Sequence, residues 1–375
     1  MRRLLLVLFV LLGAFPLLAH EPERLTIESK VMGETRTAIV HLPASYGAGR
    51  HRYPVIYLTD GPSQAAHTAA TIKALVDVGR MPELIVVGVT NTDRTRDLTP
   101  TRLANFPTSG GSAKFISFFE TELIPEIEKR YRTEPYRIFA GHSFGGLFAL
   151  ETLFTKPKLF NAIVSVSPTV WWDEKYPLKR AKEFVAANRE LSGSLILAIG
   201  DEGPQMNGSF DELKAFFKKK TPKGFEVESY YFADDDHTSV PVPAHYAALR
   251  KLFAPWHFRF DADAKTLWPR AIAHAQELTK RYGFTVRVPE DRANRIGYTL
   301  VAAKQVQEAI EVFRANVAAY PASPNVYDSL GEAYAVAGDF EKARVNFAKA
   351  VELAKAANDP RTEIFQQHLF GVRRR

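Results

Sequence analysis

The chain contains no cysteine. This excludes disulfide frameworks, thiolate zinc or iron–sulfur ligation, a thiol nucleophile and cysteine-linked lipid anchors. It suits a polypeptide that folds in an oxidising compartment, where a stray thiol would mispair. Long apolar runs are equally scarce. The one from Leu4 to Ala19 falls short of the ~20 residues a spanning helix needs, and Gly13 and Pro16 weaken it further. Neither sign of charge dominates, with 49 basic against 42 acidic side chains and a formal net charge of +7. The runs Lys218-Lys219-Lys220 and Arg373-Arg374-Arg375 read as solvated surface and tail, so no nucleic-acid partner is expected. A phosphate loop, a zinc-protease motif and a dinucleotide fingerprint are all missing, and neither a cofactor nor a metal is expected.

What remains is an ordinary globular composition. The 375 residues are 46% hydrophobic and 24% charged, and 26 Phe imply a sizeable core. At roughly 150 residues per domain, two domains are expected. Arg2-Arg3, the apolar run and Ala19 before the polar His20-Glu21 describe a secretory signal peptide over residues 1–19, cleaved after Ala19. The protein is therefore expected to be exported, periplasmic or secreted, without a stable membrane anchor. An uncleaved anchor is the competing reading of the same run.

Residues 20–257 alternate β-rich and helical stretches. Strands are expected at Leu25–Lys30, Thr37–Leu42, Val55–Leu58, Leu84–Val89, Arg137–Ala140, Ala162–Val166, Leu195–Ile199 and Val227–Phe232. Unbroken apolar runs such as residues 84–87 suit parallel strands buried on both faces. Helices are expected at Ser112–Tyr131, Gly146–Leu153, Phe210–Lys219 and Ala244–Leu252. The pattern predicts an α/β fold, a mostly parallel sheet of about eight strands flanked by helices.

Residues 258–375 lack a convincing strand and carry an internal repeat. Gly297 and Gly331, Ala309 and Ala343, and Phe313 and Phe347 each lie 34 positions apart. With Tyr327, Leu330, Tyr334 and Ala350, the second copy follows tetratricopeptide spacing. Small residues at Gly331 and Ala343 let two helices approach while aromatics fill the space between them. Two copies rarely stand alone, so this all-α region is expected to dock on the catalytic domain, self-associate or bind a protein partner.

Residues 137–140 run into Gly141-His142-Ser143-Phe144-Gly145-Gly146 and then an apolar helical segment. This is G-x-S-x-G in its strand–turn–helix setting, where a sharp turn holds the serine above the sheet. Ser143 is thus the expected nucleophile, and the Phe144 N–H at the helix start an expected oxyanion donor. Serine needs a base, and the chain order for this arrangement is Ser, acid, His. His237, directly after the last expected strand, is preferred over His245 and His257. After the preceding strand comes Gly200-Asp201-Glu202-Gly203, in which Asp201 is the favoured orienter of the imidazole and Glu202 the runner-up. The second oxyanion donor is sought in the loop after the third strand. Pro62 has no N–H, leaving Gly61 or Ser63.

On these residues the region from about Leu25 to Pro255 resembles the putative esterase family of α/β hydrolases. That family includes siderophore (enterochelin) esterases, feruloyl esterases, S-formylglutathione hydrolases and mycolyltransferases. Ser167-Pro168-Thr169-Val170-Trp171-Trp172 and Asn91-Thr92-Asp93-Arg94-Thr95-Arg96-Asp97 look most like the siderophore-esterase branch. The resemblance implies ester hydrolysis without a cofactor. Pro62 and the helical tail depart from the small family members. Both segments follow strands, on the ligand-binding side of an open α/β sheet. Trp171 and Trp172 are candidates to stack on an aromatic acyl or catecholate group, and Arg94 and Arg96 to bind an anionic one. The competing expectation for each is core packing or an ion pair with Asp93 or Asp97. The leading expectation is an exported serine esterase acting on a small-molecule ester. An acyltransferase of the same fold, or an inactive hydrolase scaffold binding a protein through its repeats, are the alternatives.

Overall fold

The computed structural model describes residues 21–48, 51–260 and 263–373. The expected signal peptide therefore lies outside the described residues. Among these, no helix is long and apolar enough to cross a membrane. The chain divides into two compact units, one ending at Trp256 and the other beginning at His257.

The first unit is built on eight strands: β1 (Glu23–Ser29), β2 (Glu34–His41), β3 (Tyr53–Leu58), β4 (Ile85–Val89), β5 (Thr133–His142), β6 (Ala162–Val166), β7 (Glu190–Gly200) and β8 (Lys223–Phe232). Their order in the sheet is β1-β2-β4-β3-β5-β6-β7-β8. β1 and β2 form an antiparallel hairpin whose register runs from Glu23↔Val40 to Ser29↔Glu34, and β2 is antiparallel to β4. From β4 onward every pairing is parallel. Every residue of β3, β4 and β6 is buried, as their unbroken apolar sequences require of strands covered on both faces. The sheet and its helices form an α/β-hydrolase fold.

The flanking helices are α1 (Gly61–Asp77), α2 (Arg94–Leu98), α3 (Ser112–Phe118), α4 (Ile124–Arg130), α5 (Phe144–Thr155), α6 (Trp172–Ala187), α7 (Gly203–Lys219) and α8 (Pro241–Leu252). The single helix expected over 112–131 is split by a π-helical turn at Phe119–Leu123. Pro125 comes two residues after the turn; it has no N–H to give and crowds the preceding turn, and widening the helix there eases both. The turn carries Phe119 into the core, against the rings of Phe139 and Phe148.

The second unit is helical: α9 (Ala264–Tyr282), α10 (Glu290–Ala302), α11 (Val306–Ala319), α12 (Pro324–Val336), α13 (Phe340–Ala356) and α14 (Thr362–Arg373). The 34-residue offset reappears as packing. A Cβ at Gly297 would stand 2.4 Å from the Phe313 ring, and one at Gly331 2.7 Å from the Phe347 ring. In each hairpin, then, the phenylalanine of the second helix fills the space that the glycine of the first leaves open. α14 is tied to α12 where His368 Nδ1 meets the Asp328 carboxylate at 2.9 Å.

Candidate active site

The site assembles at the carboxyl ends of β3, β5, β6, β7 and β8, where an open α/β sheet presents its loops. β5 ends at His142 and α5 begins at Phe144, leaving Ser143 alone on the turn with φ 63° and ψ −119°. That region is costly for a residue with a side chain, of order 1–3 kcal/mol, and persists only where the surroundings impose it. They do so here. The Ser143 N–H donates to the Val166 carbonyl of β6 at 3.0 Å. A Cβ on Gly141 would lie 2.1 Å from the Gly145 carbonyl oxygen, and one on Gly145 2.3 Å from Thr59 Oγ1. Only glycine lets strand and helix close so tightly. The Phe144 amide, at the first helical position, has no acceptor within its own helix and is available to an oxyanion.

The histidine and its acid come from neighbouring loops that are locked together. A Cβ on Gly200 would meet the Asp235 carbonyl oxygen at 2.3 Å, and the Asp201 N–H donates to that same carbonyl at 2.7 Å. With the backbone joined there, Glu202 turns inward. Its Oε2 lies 2.5 Å from His237 Nδ1. The expectation that favoured Asp201 as the orienting acid is thus corrected: its main chain makes the bond, its carboxylate stays exposed, and the runner-up Glu202 takes the imidazole. The side chain of Glu202 is only 2% exposed, against 43% for His237.

The second carboxylate oxygen of Glu202 accepts from the Ser167 hydroxyl and from the Gly200 N–H. Burial works to raise the Glu202 carboxyl, but the bonds from His237, Ser167 and Gly200 outweigh it and hold the group below its ordinary value. An ionised carboxylate can only accept, so Nδ1 carries the proton, and in the neutral ring this tautomer puts the lone pair on Nε2. On the other side, the His142 ring packs on His237 with centroids 4.5 Å apart. Burial, followed by the neighbouring His237, pushes His142 down to about 4, so it stays neutral at neutral pH.

Ser143, Phe144, Trp171, Glu202, Met206 and His237 all border one open cleft of about 530 Å³. The other expected residues divide. Trp171 borders the cleft and donates its indole N–H to Met206 Sδ at 3.1 Å. Trp172 is fully buried, donates to Thr101 Oγ1 at 2.9 Å, and packs edge-on against the Phe144 ring at 5.4 Å. It backs the Phe144 ring and is not among the residues lining the cleft.

Both arginines are ion-paired. Arg94 holds both oxygens of Asp60, at 2.8 and 3.1 Å, and reaches the His142 carbonyl at 3.2 Å. Arg96 is shared between Glu34 and Asp97. The ion-pair expectation describes both, with Asp60 in place of Asp93 or Asp97 for Arg94, and neither arginine borders the cleft. Of the two oxyanion alternatives, Ser63 spends its N–H and its hydroxyl on the Asp60 carbonyl, each at 3.0 Å, and neither Ser63 nor Gly61 is among the residues lining the cleft. Sequence reasoning missed Ser167, His142, Met206 and Asp236. Of these, Ser167 carried a signal, as the first residue after β6 in a segment already suspected of lining the site.

Residues 29–237, more than half of the chain, match the family described as Putative esterase. The chain is 31% identical to the ferri-bacillibactin esterase BesA of Bacillus subtilis over 54% of its own length and 80% of that protein. It is 30% identical to the siderophore triacetylfusarinine C esterase of Aspergillus fumigatus, over 56% of this chain and 85% of that one. Among solved structures, an IroE-like serine hydrolase from Shewanella oneidensis aligns with a TM-score of 0.68 at 27% identity, covering 80% of this chain and all of the other. Sheet order, the strained turn at Ser143 and sequence similarity converge: the chain belongs to the Putative esterase family and is a carboxylic ester hydrolase.

Proposed function

We propose that this is a serine esterase working through Ser143, His237 and Glu202. His237 Nε2 takes the Ser143 hydroxyl proton as Oγ attacks the ester carbonyl. The tetrahedral oxyanion is met by the Phe144 N–H and by the Gly61 N–H. His237 then gives its proton to the departing alcohol, leaving an acyl-serine. Water, deprotonated by the same imidazole, releases the acid and restores Ser143. Glu202 fixes the tautomer and stabilises the imidazolium throughout. The observation that carries this reading is the 2.5 Å contact of His237 Nδ1 with Glu202, made on the rim of the cleft that Ser143 also borders.

Hydrolysis is preferred over acyl transfer because His237 is 43% exposed and water reaches it freely. The relatives named as siderophore esterases support a siderophore-type ester as the natural substrate class. Export after cleavage at Ala19 rests on the leader pattern, and a tetratricopeptide character for the second unit rests on the paired Gly297/Phe313 and Gly331/Phe347 packing.

Hydrolysis of p-nitrophenyl butyrate by the wild type and by Ser143→Ala tests the mechanism. The variant is expected to lose about 10³–10⁶-fold in turnover. A fluorophosphonate probe should label Ser143 in the wild type and nothing in the variant; unchanged hydrolysis in the variant sinks the assignment. Product analysis with an added alcohol separates hydrolysis from acyl transfer.

A further inference from the structure

The charge around the cleft opposes that of the whole chain. Asp201 and Asp236 both border it beside Glu202 and His237, and among the described residues no lysine or arginine does. Arg94 and Arg96 are ion-paired, Arg94 to Asp60 and Arg96 to Glu34 and Asp97. Asp236 keeps its charge, because the groups bonded to its Oδ1 are the neutral N–H donors of Thr238 at 2.8 Å and Ser239 at 2.9 Å. Those bonds hold its carboxyl below the ordinary value. Asp201 is exposed, and its N–H donates to the Asp235 carbonyl. Glu202 adds a third carboxylate. At physiological ionic strength charges beyond ~8–10 Å are largely screened. The local sign therefore governs what enters.

We propose that this cleft sorts its esters by charge, favouring cationic and neutral substrates over anionic ones, with Asp201 and Asp236 as specificity-determining carboxylates. The proposal rests on the Ser143 esterase reading and names the substrate class for that site. An iron(III) tris-catecholate carries a threefold negative charge, whereas an iron(III) tris-hydroxamate is neutral. Among siderophore-type esters the second kind is therefore the better fit.

The test compares three p-nitrophenyl esters that share a leaving group and a six-carbon acyl chain: the hexanoate, the adipate monoester and the 6-aminohexanoate. The decisive readout is the ratio of kcat/KM for the cationic ester to that for the anionic one. Because both tails are polar and the leaving group is common, this ratio cancels hydrophobic differences and any effect on His237 itself. The ratio is expected to exceed about tenfold at low salt, since each carboxylate contributes about two- to fivefold across ~8 Å of water-like medium. It should fall toward one in 0.5 M NaCl, and by about two- to fivefold in Asp201→Asn and in Asp236→Asn. A ratio at or below one overturns the proposal, as does a ratio indifferent to salt and to both substitutions. If the wild type hydrolyses none of the three, the esterase reading itself fails and the charge rule falls with it.

Discussion

The Ser167 hydroxyl donates to the Glu202 carboxylate oxygen that His237 leaves free. One serine at the end of β6 thereby sets the angle of the acid that sets the angle of the base. Ser167 itself sits at φ 45° with its N–H on the Ala198 carbonyl of β7, so the neighbouring strand aims this side chain. The arrangement places the orientation of the imidazole under the control of two adjacent parallel strands.

Removing that donor should therefore disturb catalysis more than architecture. Ser167→Ala is expected to lower kcat about tenfold with little change in KM. Loss of a hydrogen bond to a charged group, ~1.5–3 kcal/mol, should appear partly in stability. Because one of the bonds that hold the Glu202 carboxyl down is gone, its protonation moves to higher pH. The acid limb of the kcat/KM profile should move the same way. An unshifted limb would reduce Ser167 to a packing residue.

The choice between the two adjacent carboxylates is open to direct comparison. Glu202→Gln should reduce kcat on a neutral ester by about 10²–10⁴-fold, the scale seen when the acid of a serine triad is neutralised. Asp201→Asn should cost far less on the same ester. If the two losses come out reversed, the 2.5 Å contact with His237 is not the catalytic one.

Stability should depend on pH through buried histidines. His245 is fully buried; burial, followed by His67, pushes it down to about 3. His142 is pushed down to about 4 by burial and then by His237, and burial also lowers His67. Each binds its proton more readily in the unfolded chain, so the stability they contribute is complete above the unfolded value of ~6.5. It is lost progressively as pH falls toward 4 and 3. Urea midpoints are expected to fall between pH 7.5 and pH 5, and His245→Gln should flatten that slope; an unchanged slope would remove His245 as its source.

In the helical unit the glycine–phenylalanine interlock sets a packing limit. Gly331→Ala places a methyl group 2.7 Å from the Phe347 ring and should destabilise by about 1–3 kcal/mol, as overpacking does. Phe347→Leu added to it should recover part of the loss, because the narrower side chain vacates the contested space. Denaturant unfolding of both variants checks the coupling, and simple additivity would contradict it.

Much of the fold could be read from local pattern. All eight strands were expected near their observed positions, because unbroken apolar runs between turn residues leave few other assignments. Helices α1 and α6 were not anticipated. Their alternation is weak, and Pro177 together with the left-handed residues Asp173–Lys175 interrupts α6. The site was legible wherever a backbone constraint leaves a sequence mark. The glycines around Ser143 are demanded by contacts of 2.1–2.3 Å, and the placement of His237 follows from the end of β8.

The sequence by itself determined the sheet, the serine on its strained turn, the histidine that follows the last strand, and the 34-residue spacing of the helical hairpins. Each depends on short-range sterics or periodicity, which neighbouring residues encode. Only the tertiary structure decided that Glu202 and not Asp201 meets His237, that Trp172 is core while Trp171 borders the cleft, and that Arg94 and Arg96 are already paired. Those outcomes turn on a main-chain bond between Asp201 and Asp235 and on carboxylates at Glu34 and Asp60, tens of residues from the arginines they hold. Which of two neighbouring carboxylates points inward, or which cation is free to meet a substrate, is settled by competition among distant partners, and that competition exists only once the chain has closed.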